Sequence, residues 1–246
     1  MGVVKPTFSV IIPTFNRREV NRAILSLISQ GYPISLYEII VVDDGSNEEC
    51  LIRARISADT FQERGFNISI IEHGKNLGKT FARNTGLRAA TKEWICELDS
   101  DDEYHSHYLE NFAEAIQANP NVNVFTCGAA VYNHKSKTFN TRPAFVPKKG
   151  EVFGSGRIGT GSFVYRRSLQ PYIPESAIAY GSDDSFSALV QKKYPEIRAM
   201  YGQNEQGQWK PFGSPFADDY TKFFILTREN DTVGINLPLY LQNYRV

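Results

Sequence analysis

Five carboxylates fall within seven residues at Glu97-Leu98-Asp99-Ser100-Asp101-Asp102-Glu103. Neighbours of like charge stay ionised together only at a cost unless a cation is close, so the segment invites a divalent ion. Donors that are all oxygen select Mg²⁺ or Mn²⁺ over zinc, and those ions keep waters and bridge phosphates. A plainer reading makes the Asp-Ser-Asp-Asp turn the cap of a helix beginning near Tyr104, since Asp and Ser are favoured N-cap residues. Both readings stand on this segment alone.

Three more segments carry comparable chemistry: Pro13-Thr14-Phe15-Asn16-Arg17, Asp43-Asp44-Gly45-Ser46, and Asn76-Leu77-Gly78-Lys79 leading into Ala82-Arg83-Asn84-Thr85-Gly86. Each follows a short apolar run. Residues 8–12 are β-branched and apolar up to Pro13, and the spacing of Val20, Ile24, Leu27 and Ile28 predicts a helix next. Residues 37–42 and 68–72 predict two further strands, with helical stretches reaching about Arg64 and running from about Lys79 to Ala90. A fourth strand over 94–98 enters the acidic cluster. Strands alternating with helices imply right-handed βαβ units, so the expected fold class is α/β with a Rossmann-like, mostly parallel sheet and helices on both faces. Ligands of such sheets bind beyond the carboxyl ends of the strands, where all four segments fall.

The second half is less regular. A helix is expected from about Ser106 to Ala118, then a β-hairpin of residues 123–132 and 137–142, and a long Gly- and Pro-rich functional loop over 143–161. A strand over 162–165, a helix over 184–193 and a polar segment over 201–218 complete the reading. One domain over 1–246 is expected, with a first half of about 1–103 and a smaller mixed half of about 104–246.

Lys and Arg total 27 and so do Asp and Glu, which leaves no global field to attract nucleic acid. Short basic pairs such as Lys148-Lys149 read by default as solvated surface. A phosphate-bearing partner must then be held locally. The cysteines Cys50, Cys96 and Cys127 form no CxxC pair and fit a reducing compartment. Residues 1–7 lack the pattern of a signal peptide, and no apolar stretch approaches the ~20 residues that span a bilayer. The expected location is the cytoplasm, free or peripheral to a membrane.

The four segments in this order closely resemble the family 2 glycosyltransferases, over about residues 7–103. The resemblance implies a GT-A fold and inverting transfer of a sugar from a nucleotide-sugar, a UDP-sugar above all, to a hydroxyl acceptor such as a carbohydrate. It places Pro13, Thr14, Phe15, Arg17 and Asp44 against the uracil and ribose, and Arg83, assisted by Lys79, near the base and phosphates. Asp99, with Ser100 beside it, is placed near the ribose and sugar, and Asp101 on a Mn²⁺ or Mg²⁺ ion, with Asp99 the second metal-site carboxylate. Bland alternatives stand beside these roles: Arg83 as a helix-surface residue, Asp43 as a brace for the Gly45 turn, Lys79 as a solvated cation.

Inverting transfer needs a base for the acceptor hydroxyl. Tyr180-Gly181-Ser182-Asp183-Asp184 resembles the family's Gly-Glu-Asp motif, with Ser182 where Glu is usual, so Asp183 fits the base in one register and Asp184 in the other; a helix cap is the competing role. Residues 159–167 resemble the turn and strand bordering the acceptor site. The family's late His after a Tyr-Arg pair has no match at Tyr244-Arg245-Val246: either the chain stops just before that ligand, or water or a late acidic residue such as Asp218 or Asp219 replaces it. A nucleotidyltransferase would need a Gly-rich loop after the first strand, and residues 13–17 contain no Gly. A binding module without turnover is the other alternative.

Overall fold

A computed structural model describes residues 4–149, 159–169, 201–203, 209–211, 226–227 and 230–244. Three strand–helix units come first: β1 (Phe8–Thr14), α1 (Val20–Ile28), β2 (Tyr37–Asp43), α2 (Glu48–Gln62), β3 (Ile68–Glu72) and α3 (Lys79–Ala89). Then follow β4 (Trp94–Glu97), the two-residue β5 (Glu103–Tyr104), α4 (Tyr108–Ala118), and the hairpin of β6 (Val124–Asn133) and β7 (Thr138–Arg142). β8 (Phe163–Arg166), a ribbon of β9 (Tyr201–Gln203) and β10 (Trp209–Pro211), and the long β11 (Thr232–Tyr244) complete it.

The main sheet has the order β3-β2-β1-β4-β8-β6-β11-β5, with β7 on β6. β3, β2, β1 and β4 are parallel. β8 runs against both β4 and β6, so β6 and its parallel neighbour β11 point the same way as those four. The carboxyl ends of β1, β2, β3, β4, β6 and β11 thus share one edge.

Alternation sets what each strand buries. Phe8, Val10 and Ile12 of β1 pack with α1, α2 and α4, whereas Ile11 joins the core under α3. Because helices cover both faces, β1 and β2 are buried along their whole length and read as continuous apolar runs. The polar exceptions are paired. Ser9 Oγ donates to Glu38 Oε1 at 2.6 Å, and the Thr91 backbone N–H donates to the same oxygen at 2.6 Å.

α3 lies close against β1 because position 86 is glycine. A Cβ there would sit 2.3 Å from Ile11 Cγ2. Gly86→Ala is therefore expected to push the helix off the sheet at a cost of about 2 kcal/mol, lowering Tm by roughly 4–8 °C for a chain of this size. A thermal melt checks it; an unchanged midpoint would mean the helix has room to spare.

The parallel half matches the sequence expectation to within a residue or two. Four strands went unforeseen: β5, β11 and the two of the β9–β10 ribbon, which falls inside the segment read as polar and irregular. In β11, Gly234 and Pro238 break the alternation, and the register against β6 shifts on both sides of Pro238. The helix expected over 184–193 lies outside the described residues.

Candidate active site

The site grows from loops at the shared carboxyl edge. After β1, Asn16 adopts φ 50°, a left-handed conformation that Asn tolerates. Its backbone N–H donates to Ser46 Oγ at 2.8 Å, and its Oδ1 accepts from the Asn47 N–H at 2.7 Å. These bonds staple the β1–α1 loop, with Phe15 and Arg17, to the β2–α2 loop. Gly45 has φ 77°, and a Cβ there would meet the Lys75 carbonyl carbon at 2.5 Å, so only glycine lets the β2–α2 and β3–α3 backbones touch.

Asp43 accepts from the Ser46 N–H at 2.9 Å and braces that turn, the bland role considered for it. Asp44, 2% exposed, holds the β3–α3 loop instead. Its Oδ1 accepts from His73 Nδ1 at 2.8 Å and the Leu77 N–H at 2.9 Å, and its Oδ2 from the Gly78 N–H at 2.7 Å. His73 Nε2 lies 3.0 Å from Thr85 Oγ1, tying the carboxylate to α3. Nothing in the sequence singled out His73, although a His immediately after a strand end that faces the ligand edge was the available signal.

The carboxylates of the acidic turn have separate fates. Asp99 is ringed by donors: Lys79 Nζ at 3.1 Å, Arg83 Nη2 at 3.0 Å and Thr160 Oγ1 at 3.2 Å. Burial alone would raise its pKa, but the Lys79 and Arg83 cations outweigh it and hold Asp99 at about 2. Asp101 keeps 23% of its side chain exposed, with Arg17 Nη2 3.6 Å away. Burial and the charge of Asp99 raise its pKa against the pull of Arg17, so the protein leaves its negative charge incompletely balanced. Asp102 is buried and accepts from the Tyr240 hydroxyl and, at 2.7 Å, from the Asn243 N–H; burial pushes it well up. Glu103 pairs with Arg22. The helix-cap reading of the turn fails: β5 occupies Glu103–Tyr104, and α4 begins only at Tyr108 with His107 at its N-cap.

Arg83 requires a correction of position. It is neither a helix-surface residue nor part of the cleft wall; it lies beneath the floor, 1% exposed. There its Nε is 3.4 Å from Glu97 Oε2, its Nη2 donates to Thr160 Oγ1 at 2.8 Å, and Tyr165 OH donates to Glu97 Oε1 at 2.7 Å. A buried guanidinium between the buried Glu97 and the half-buried Asp99 is the pairing its burial demands. Its reach into the cleft goes through Asp99.

Pro13, Thr14, Phe15, Arg17, Asp44, Lys79, Asp99, Ser100 and Asp101 all line one open cleft of about 570 Å³. Asn76 and Gly78, from a segment the sequence singled out without giving either residue a role, line it too, as do Gln242 and Asn243, which were not foreseen. Gln242 and Asn243 come from the unforeseen β11, where the run Pro-Leu-Tyr-Leu-Gln-Asn offered a strand signal. Asp183 and Asp184 lie outside the described residues, as do Tyr180, Asp218 and Asp219.

Among the described residues no group of three or more His, Cys, Asp or Glu side chains forms a metal cage. Mg²⁺ and Mn²⁺ need none, since one or two carboxylates suffice when substrate phosphates and water complete the shell. Asp101 fits that role: an open carboxylate in excess negative potential. The oxygens of Asp99 are already taken by Lys79, Arg83 and Thr160.

A glycosyltransferase of Haemophilus influenzae with no assigned activity is 31% identical over 115 residues, 47% of this chain and 36% of that protein. The chain spans about a third of the length of the curated relatives it matches. Staphylococcus aureus TarS 1–349 in complex with UDP-GlcNAc superposes with TM-score 0.63 at 19% identity, over 98% of this chain and 59% of that one. The mannosyltransferase PcManGT from Pyrobaculum calidifontis, in complex with GDP-Man and Mn²⁺, gives 0.57 at 19%, over 97% and 57%. The fold is accordingly the GT-A fold. With the profile of glycosyl transferase family 2 matching residues 9–175, more than half the sequence, the chain belongs to that family.

Proposed function

We propose that the chain, read as one domain over 1–246, transfers a sugar from a UDP-sugar to a carbohydrate hydroxyl with inversion, and depends on Mn²⁺ or Mg²⁺. The observation that carries this reading is the division of labour in the acidic turn. Asp99 is locked ionised by two cations, while Asp101 stands beside it in the same cleft with unbalanced charge. The first can fix substrate hydroxyls; the second needs a cation. The complexes of TarS with UDP-GlcNAc and of PcManGT with GDP-Man and Mn²⁺ support both the donor class and the metal.

In this reading Pro13, Thr14, Phe15 and Asp44 hold the nucleoside. Asp44 Oδ2 accepts one bond from Gly78, which leaves it capacity for a donor on the base. Asp99 and Ser100 face the ribose and sugar, and Lys79 and Arg17 bring positive charge to the diphosphate. When bound at Asp101, the metal ion neutralises charge on the leaving diphosphate. The acceptor hydroxyl attacks the anomeric carbon as the bond to the diphosphate oxygen breaks, and its proton passes to Asp183 or Asp184.

Incubation with a panel of UDP-sugars tests this. UDP release that requires Mn²⁺ and stops with EDTA is the expected result; full release in EDTA, or none with any UDP-sugar, would contradict it. No helix among the described residues is long and apolar enough to cross a membrane.

A further inference from the structure

Residues 115–150 contain five cations, Lys135, Lys137, Arg142, Lys148 and Lys149, and no Asp or Glu, in a chain whose 27 basic and 27 acidic residues otherwise balance. So one-sided a stretch concentrates positive potential locally. Its centre is the β6–β7 hairpin. Lys135 and Lys137 are exposed at the turn, and neither makes an ion pair with a described carboxylate.

The same hairpin displays an aromatic cluster. Tyr132 and Phe139 are cross-strand partners with ring centroids 4.6 Å apart, and His134 stacks edge-on to Tyr132 at 4.7 Å. Phe139 is 67% exposed, and every residue of β7 is exposed. A large aromatic held open to solvent beside unpaired cations has no role in the core and suits a ligand with both flat apolar faces and negative charge.

Position ties the hairpin to the cleft. β6 ends at the shared carboxyl edge, and its Tyr132 and Asn133 are in register with Asn243 and Tyr244 of β11. Gln242 lines the donor cleft and also a second, small cavity walled by Arg142 at the end of β7. Asn243 lines the donor cleft and is the register partner of Tyr132, which in turn faces Phe139, so one row across the sheet leads from the cleft to the hairpin's aromatics.

Building on the transferase reading, we infer that the β6–β7 hairpin is the docking platform for an anionic glycan acceptor, a chain bearing phosphodiester or carboxylate groups. Lys135 and Lys137 hold the charges, Tyr132 and Phe139 pack against sugar rings, and the acceptor end reaches the cleft past Asn243. An anionic bilayer would also satisfy the cations. It would have no use for the connection to the cleft, so the glycan is the better occupant.

The test compares the parent with Lys135→Glu/Lys137→Glu and with Phe139→Ala. Probes are a glycerol-phosphate oligomer, an oligogalacturonate, a neutral dextran oligomer, and phosphatidylcholine vesicles with roughly one-third phosphatidylglycerol. The parent is expected to bind one of the anionic oligomers and not dextran. The double variant should bind it at least about tenfold more weakly with a flatter salt dependence, and Phe139→Ala should also weaken it. Both variants should keep the parent's UDP affinity in Mn²⁺ and its melting temperature, because none of the three side chains lines the cleft or enters the core. Failure to bind either anionic oligomer, equal binding by parent and variants, or loss of vesicle binding alone would overturn the inference. Failure of the parent to bind UDP with Mn²⁺ would instead strike the transferase reading, so the two failures are distinguishable.

Discussion

Asp101→Ala is expected to abolish metal-dependent UDP binding and to cut sugar transfer by about 10²–10³-fold, while leaving the protein as stable as the parent or slightly more so. The two halves of this expectation share one cause. Asp101 stands in a cleft where burial and the neighbouring Asp99 charge disfavour its ionised form, and the Arg17 guanidinium at 3.6 Å compensates only in part. Its folded pKa therefore lies above the ordinary 3.8. Such a carboxylate lowers stability as pH rises through the interval between the unfolded and folded values, and the cost persists at neutral pH. Alanine removes the cost together with the ligand. Calorimetric titration of UDP with and without Mn²⁺, paired with a thermal melt, reads both. A variant that melts well below the parent would show that Asp101 is structural; one that keeps Mn²⁺-dependent UDP affinity would show that the metal sits elsewhere.

The second large effect is expected beneath the floor. Arg83→Met leaves Glu97 and Asp99 buried without the cation between them, and breaking a buried pair from one side costs about 3–5 kcal/mol. The expected signature is a marked fall in Tm with loss of transfer. Replacing the arginine also relaxes the hold on Asp99. In the parent, the folded value of about 2 lies below the ordinary 3.8, so the stabilisation is fully present above pH 3.8 and is lost as pH falls toward 2. That contribution is roughly 2 kcal/mol, and Arg83→Met should lose less stability than the parent between pH 4 and 2. Adding Glu97→Gln should recover part of the Tm, because a neutral amide can still accept from Tyr165 without an uncompensated charge. No recovery in the double variant would mean that the arginine acts through packing rather than charge.

The parts of the molecule legible in the sequence are those where local and global signals coincide. β1, β2 and β4 are buried on both faces, so their apolar runs announce themselves, and each gives way at its end to polar or turn-forming residues: Pro13-Thr14, Asp43-Asp44-Gly45, Asp99. Since ligands of a parallel sheet gather at that edge, most of the residues that line the cleft could be named before any coordinates. Arg83 shows where such reading stops. The helix position was evident, but whether its side chain faces the cleft or the core depends on Glu97 and Tyr165, and Tyr165 comes from a strand whose pairing with β4 is antiparallel and distant in sequence. Asp102 hid for the same reason: its partners Tyr240 and Asn243 arrive from β11, 138 and 141 residues later. β11 itself was obscured by Gly234 and Pro238, which read as loop residues locally yet are tolerated where the ladder shifts register. His73 carried no signal of its role because its two partners, Asp44 and Thr85, belong to different elements.

The most direct measurement is a calorimetric titration of UDP into the parent protein, once with Mn²⁺ and once with EDTA. Binding at least about tenfold tighter with Mn²⁺, at a stoichiometry near one, is the predicted result. Equal affinity in EDTA, or no binding under either condition, would contradict a metal-dependent UDP-sugar site at Asp101.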